Sequence, residues 1–178
     1  IGVGLVAGEV RGIDFLRREV SVVGGRGVET LAFDRLVFAL GSRLVRPEMS
    51  GFAEYGFDVD TFKGASRLRE HLGRLVAEAT SPDGGDFSKR VLVVGAGLTG
   101  IEAAAELASA WRVTLADHGD HIGSDMGPYA QPVIAEALAA LGVETRVGVS
   151  VTSLSAAGAT LATGELIPAA TIVWCAGM

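Results

Sequence analysis

Residues Val91 to Val94 form an unbroken apolar run that ends directly in Gly95-Ala96-Gly97-Leu98-Thr99-Gly100. A strand without a polar side is one buried on both faces, the usual state of a central parallel strand. Ile101 to Ala110 then reads as helix, Val113 to Leu115 as the next strand, and Ala116-Asp117 as its acidic end. This order predicts an α/β fold, with a Rossmann-like parallel sheet, helices and a β-meander.

Each part of the run has a physical task. Gly95 permits the tight turn, Gly97 lets a pyrophosphate approach the backbone, and Gly100 lets the helix lie close to the strand. The free N–H groups of the helix start and its dipole then favour phosphate oxygens, and Ala96, Leu98 and Thr99 join the three glycines as expected cofactor-binding residues. Asp117 stands 22 positions after Gly95, the usual distance for a carboxylate that takes ribose hydroxyls. A bare glycine pattern is weak in a chain with 25 glycines in 178 residues. Strand before, helix after and acid at the right distance together indicate a site for the ADP half of a dinucleotide.

Asp117 also bears on which dinucleotide. A 2′-phosphate about 4 Å from it would cost about 4 kcal/mol at an effective dielectric of about 20. NAD(H) is therefore expected over NADP(H). A protonated His118 or Arg112 would soften that preference, but no basic cluster follows the strand directly.

Composition removes other classes. With 49% apolar residues the chain can bury a core. Glu102, Glu106 and Arg112 interrupt the best apolar stretch, so no transmembrane segment is expected. A net charge of −6 without long charged blocks argues against nucleic acid. The single cysteine, Cys175, excludes a disulfide framework or a C-x-x-C pair within these residues and fits a reducing cytosol.

The flanks repeat a theme. Leu5 to Ile13, Glu19 to Val23 and Val28 to Phe33 read as a three-stranded meander leading to a strand over Asp34 to Ser42. Val149 to Leu154, Ala159 to Ala162 and Glu165 to Ile167 read as a second meander leading to Thr171 to Gly177. Gly41 and Gly177 are 136 residues apart, and Val10 and Val151 are 141 apart. That spacing suggests a duplicated domain rather than a solenoid repeat. The first copy's glycine turn is expected upstream of Ile1. Ser66 to Ala79 and Pro132 to Leu141 read as further helices, with Gly142 beyond the second.

Leu36 to Ser42, the Gly95–Glu102 turn with Ala105-Glu106-Leu107, and Ile172 to Gly177 together resemble the FAD-dependent pyridine nucleotide-disulfide oxidoreductases. The Thr99-Gly100-Ile101-Glu102 and Val173-Trp174-Cys175-Ala176-Gly177 wording is most similar to type II NADH dehydrogenases and related NADH:acceptor reductases. Leu40 departs from the Thr usual there. The resemblance implies a central fragment: residues 1–45 part of an FAD-binding domain, 46–60 a connector, 61–178 an NAD(H)-binding domain. It implies cofactor contacts from Val10, Ala39, Gly41 and Ser42 in the first part, and from Val151, Ala176 and Gly177 in the second. The implied activity is transfer of hydride from NADH to FAD, with the fragment alone inactive. The acceptor (a quinone, a small redox protein or oxygen) and the oligomeric state stay open. A cytoplasmic protein is implied, whether or not the whole protein is peripheral to a membrane. The alternative is a nucleotide-binding redox-sensing module without turnover, as in apoptosis-inducing-factor-like relatives.

Three further assignments carry alternatives. Glu102, read in the first turn of the glycine-motif helix, is either the carboxylate that the resemblance places beside nicotinamide and flavin, or a helix-start acid favoured by the dipole. Asp117, His118, Asp120, His121 and Asp125 crowd one loop without a recognised ligand spacing, so turn chemistry is preferred to a metal. Cys175 is read as a small core residue rather than a reactive thiol.

Overall fold

Alternate side chains of the Val91–Val94 run point to opposite faces of one sheet, and both faces are covered. The computed structural model describes residues 3–41, 46–79 and 85–177. It divides into two units, Ile1–Gly41 and Ser42–Met178.

The second unit holds a five-stranded parallel sheet made of β4 (Gly56–Phe57), β5 (Arg90–Val94), β6 (Arg112–Ala116), β7 (Glu144–Arg146) and β11 (Thr171–Trp174). Their order is β4-β11-β5-β6-β7. Helices α2 (Phe62–Ala79), α3 (Leu98–Leu107) and α4 (Ala130–Ala140) cover one face. There Leu68, Ala104 and Leu138 pack on Val91, Val93, Val113, Leu115 and Val173. The other face carries the antiparallel meander β8 (Val151–Ser155), β9 (Gly158–Leu161) and β10 (Leu166–Pro168). Leu154, Ala159, Leu161 and Ile167 pack on Leu92, Val94, Ala116, Ile172 and Trp174. Two covered faces explain why β5 has no polar side.

The predicted elements differ at their edges for local reasons. Helix α2 starts at Phe62, four residues earlier than expected, because the Thr61 hydroxyl accepts the Gly64 N–H at 3.0 Å. Its Leu68 and Leu72 face the core, whereas Val76 is exposed. Helix α4 ends as foreseen: Gly142 takes φ 75°, and the Val143 N–H reaches back to the Leu138 carbonyl at 3.0 Å. Residues 46–60, expected as a connector, instead carry α1 (Phe52–Tyr55) and β4. The Phe52 ring meets Trp174 edge-on at 5.5 Å, and Gly51 lies against the Leu154 carbonyl. This segment is therefore built into the second unit. Among the described residues no helix is long and apolar enough to cross a membrane.

The first unit is the expected meander: β1 (Glu9–Asp14), β2 (Glu19–Gly24) and β3 (Gly27–Ala32), paired antiparallel in that order. Asp14 accepts the Leu16 and Arg17 N–H groups at 2.9 Å each and closes the looser first turn. The strand expected over Asp34 to Ser42 does not form among the described residues. Val37, Phe38 and Leu40 are exposed, and no described strand pairs with them. A parallel strand owes its backbone bonds to neighbours, so apolar residues alone do not make one.

Leu115 is fully buried between β6 and the helical layer. Leu115→Ala should lower unfolding free energy by about 2–5 kcal/mol in urea titration. A loss under about 1 kcal/mol would contradict a packed two-sided core.

Candidate dinucleotide site

The three glycines of the turn do three different things. At Gly95, φ is 103°, and a Cβ would stand 2.6 Å from the Ala176 nitrogen. At Gly100 a Cβ would collide with the Gly95 carbonyl oxygen and press on the Cys175 Cβ at 3.4 Å. At Gly97 a Cβ would meet nothing within 4 Å. Two glycines thus allow close packing behind the turn, and the third leaves its outer side bare for a ligand.

The turn is held from below by Asp117 at the end of β6. Its Oδ2 accepts the Ala96 N–H at 2.6 Å and its Oδ1 accepts the Gly119 N–H at 2.7 Å. The side chain is about nine-tenths buried. The Gly95 N–H bonds the Ala116 carbonyl at 2.8 Å, and the Cys175 N–H bonds that of Val94 at 2.7 Å. The ends of β5, β6 and β11 are therefore laced together beneath one cavity of about 610 Å³.

Gly95, Gly97, Leu98, Thr99, Asp117, Ala176 and Gly177 line that cavity. Ala96 and Gly100 lie behind it as buried supports. Helix α3 begins at Leu98 with no side-chain cap on Gly97, so its first-turn N–H groups are left for an anion. This chemistry fits a dinucleotide pyrophosphate: bare backbone, uncapped donors and a ribose-length carboxylate.

Among the residues expected to contact cofactor, Val151 does not line this cavity. Val151 sits in β8, paired with Leu161 and half-buried in the meander's core. Val10, Ala39 and Gly41 belong to the first unit. Ser42 lies outside the described residues. Glu102 is exposed and stands in the second turn of α3, not the first, because the helix starts three residues before Ile101. The dipole argument for it weakens accordingly, since the effect fades beyond the first turn. Arg112 begins β6, at the opposite end from Asp117, and pairs with Asp86. It is too far down the strand to receive a phosphate beside Asp117.

One wall was missed from sequence. Ser124, Asp125 and Met126 form a 3₁₀ turn lining the cavity. The Gly123 N–H fixes it by donating to the Ala96 carbonyl at 3.0 Å. Gly123, Gly127 and Pro128 punctuate this loop and were the available signal. Among the described residues no three His, Cys, Asp or Glu side chains converge as metal ligands.

A profile of the pyridine nucleotide-disulphide oxidoreductases matches residues 2–178. The chain belongs to this family. An NADH dehydrogenase-like protein of Mycobacterium tuberculosis is 47% identical over 189 residues, covering 99% of this chain and 46% of that protein. A demethylphylloquinone reductase of Synechocystis is 30% identical over 178 residues, covering 95% of this chain and 42% of its own. The chain thus spans about half the length of these curated relatives. NDH2 of Plasmodium falciparum, solved with NADH, superposes with a TM-score of 0.68 at 16% identity, over 93% of this chain and 39% of that one. At that identity the likeness is one of fold. Within the family fold, the cavity lies where parallel strands end, the usual place for a nucleotide.

Cys175, at the end of β11, is 5% exposed, and its thiol is pushed up to about 12 by burial and secondarily by the charge of Asp58. It behaves as packing beneath the turn rather than as a nucleophile. From about pH 9 upward the unfolded chain loses this proton while the folded chain keeps it, so the stability contribution is lost as pH rises toward about 12. At neutral pH, Ellman's reagent should label Cys175 only in denaturant; rapid labelling of the folded chain would contradict its burial.

Proposed function

We propose that this chain supplies the NAD(H) site of an FAD-dependent NADH oxidoreductase, and that the whole protein passes reducing equivalents to a quinone. The observation that carries the reading is the joining of the Gly95–Gly100 turn, Asp117 and Ala176-Gly177 around one cavity. The name of the Synechocystis relative favours a quinone over a small redox protein or oxygen. Residues 1–45 are assigned to the flavin-binding domain and 61–178 to the NAD(H)-binding domain, with 46–60 joined to the latter.

When bound, nicotinamide and flavin supply the hydride chemistry themselves. The protein's contribution is binding and alignment. The uncapped start of α3 takes the pyrophosphate, the backbone at Gly97 admits it closely, and Asp117 receives ribose hydroxyls while keeping its hold on Ala96. Glu102 is assigned a position beside the reacting rings in the whole protein, where its charge orients the nicotinamide.

Selectivity for NADH over NADPH rests on the same carboxylate. Among the described residues no Arg or Lys lines the cavity, and His118 is the one lining side chain that can become cationic. Even one third of the repulsion at about 4 Å corresponds to about tenfold in affinity. Calorimetric titration should show NADH binding at least about tenfold tighter than NADPH; equal affinities would remove Asp117 from the ribose. In the full-length protein, Glu102→Gln should slow flavin reduction more than it weakens NADH binding. An unchanged reduction rate would leave Glu102 an ordinary helix carboxylate.

A further inference from the structure

The sheet has a notch at its other end. Strand β4 pairs only two residues with β11, Gly56 with Ile172 and Phe57 with Val173. Thr171, where β11 begins, has no strand partner on that side, and a cavity of about 250 Å³ opens beside it. Four strand residues separate this place from the glycine turn, about 13 Å along the sheet.

We propose that this notch is a second ligand site, taking the phosphoryl or carboxylate group of a small oxyanion. Arg67, His71 and Arg74 line it from α2. Their spacing of four and then three residues places them on one face of the helix. Two of the three heads are already positioned. The Arg67 guanidinium lies 4.8 Å from the centre of the Phe57 ring and donates to the Gly56 carbonyl at 3.1 Å. The His71 imidazole stacks on the same ring at 4.5 Å and is hydrogen-bonded through Nε2 to the buried Thr171 hydroxyl at 3.0 Å.

The notch gathers positive charge. Arg46, Arg90, Arg112 and Arg146 each pair with a carboxylate, whereas Arg18, Arg26, Arg35 and Arg69 are, like the notch arginines, without one among the described residues. Arg67 and Arg74 form no ion pair among the described residues. Among the described residues the one carboxylate lining the notch is Glu54, which holds the neighbouring Tyr55 phenol above its ordinary range. Among the described residues, two arginines and a histidine therefore line a small cavity together with one acid. Such an arrangement matches an oxyanion, which arginine's planar donor fork can grip at two oxygens.

The chain has three histidines, which makes the test specific. His71 reports on the notch, His118 on the dinucleotide cavity, and His121, paired with Asp120, on neither. Inorganic phosphate is titrated at constant ionic strength while the three imidazole Cε1–H signals are followed by NMR. The His71 signal should shift saturably, and its titration midpoint should rise, since a bound anion favours the imidazolium. Arg74→Ala, at an exposed position, should weaken the phosphate response of His71 about tenfold or more while leaving that of His118 unchanged. Arg67→Lys should retain binding with reduced affinity. A non-saturating His71 response, a shift confined to His118, or wild-type affinity in Arg74→Ala would each overturn the proposal. Loss of NADH binding would not bear on it, because His71 and His118 are read separately.

Discussion

The Asp117 carboxylate, held between the Ala96 and Gly119 N–H groups, is the interaction on which the rest of the site depends. A glycine turn is the least constrained backbone in a chain, and left alone it would sample many shapes. Here a nearly buried charge fixes it from below, and the Gly95, Gly123 and Cys175 amides fix it on three sides. The ligand-facing N–H groups thereby become a preset cradle rather than a flexible loop. A cradle already in place spares binding the cost of ordering it.

That cradle exists because the sheet beneath it is covered on both sides. Helices on one face and a meander on the other leave β5, β6 and β11 nothing to do but end together. Glycine is then required at two points where backbone meets backbone, Gly95 against Ala176 and Gly100 against the Gly95 carbonyl. At the opposite end the same sheet is incomplete, because β4 is shorter than its neighbour. One end of β11 closes the dinucleotide cavity and the other opens the basic notch.

Much of this was readable because it is periodic. The β5 run, the glycine spacing, the acid after β6 and the second meander all repeat at intervals set by strand and helix geometry. Strands β4 and β7, of two and three residues, are too short to carry any period. Helix α3 starts three residues before Ile101 although Gly100 is a poor helix former, and only its contact with Gly95 shows why it belongs in the helix. The apolar run at Leu36 to Leu40 had the right composition for a strand but no neighbour among the described residues to bond. The Ser124–Met126 wall is made of turn residues whose role is set by one long-range bond, from Gly123 to Ala96. Arg112 seemed near Asp117 in sequence, yet the length of β6 separates them. Distances along a strand, unlike residue types, are easily underestimated from a linear reading.

Amide chemical-shift mapping during NADH titration tests, residue by residue, whether the turn that Asp117 fixes holds NADH. Saturable shifts are expected at Gly95, Gly97, Leu98, Thr99, Asp117 and Ala176, with β1 to β3 silent. Shifts that spare the glycine turn, or that gather on the meander of the first unit, would contradict binding at the turn.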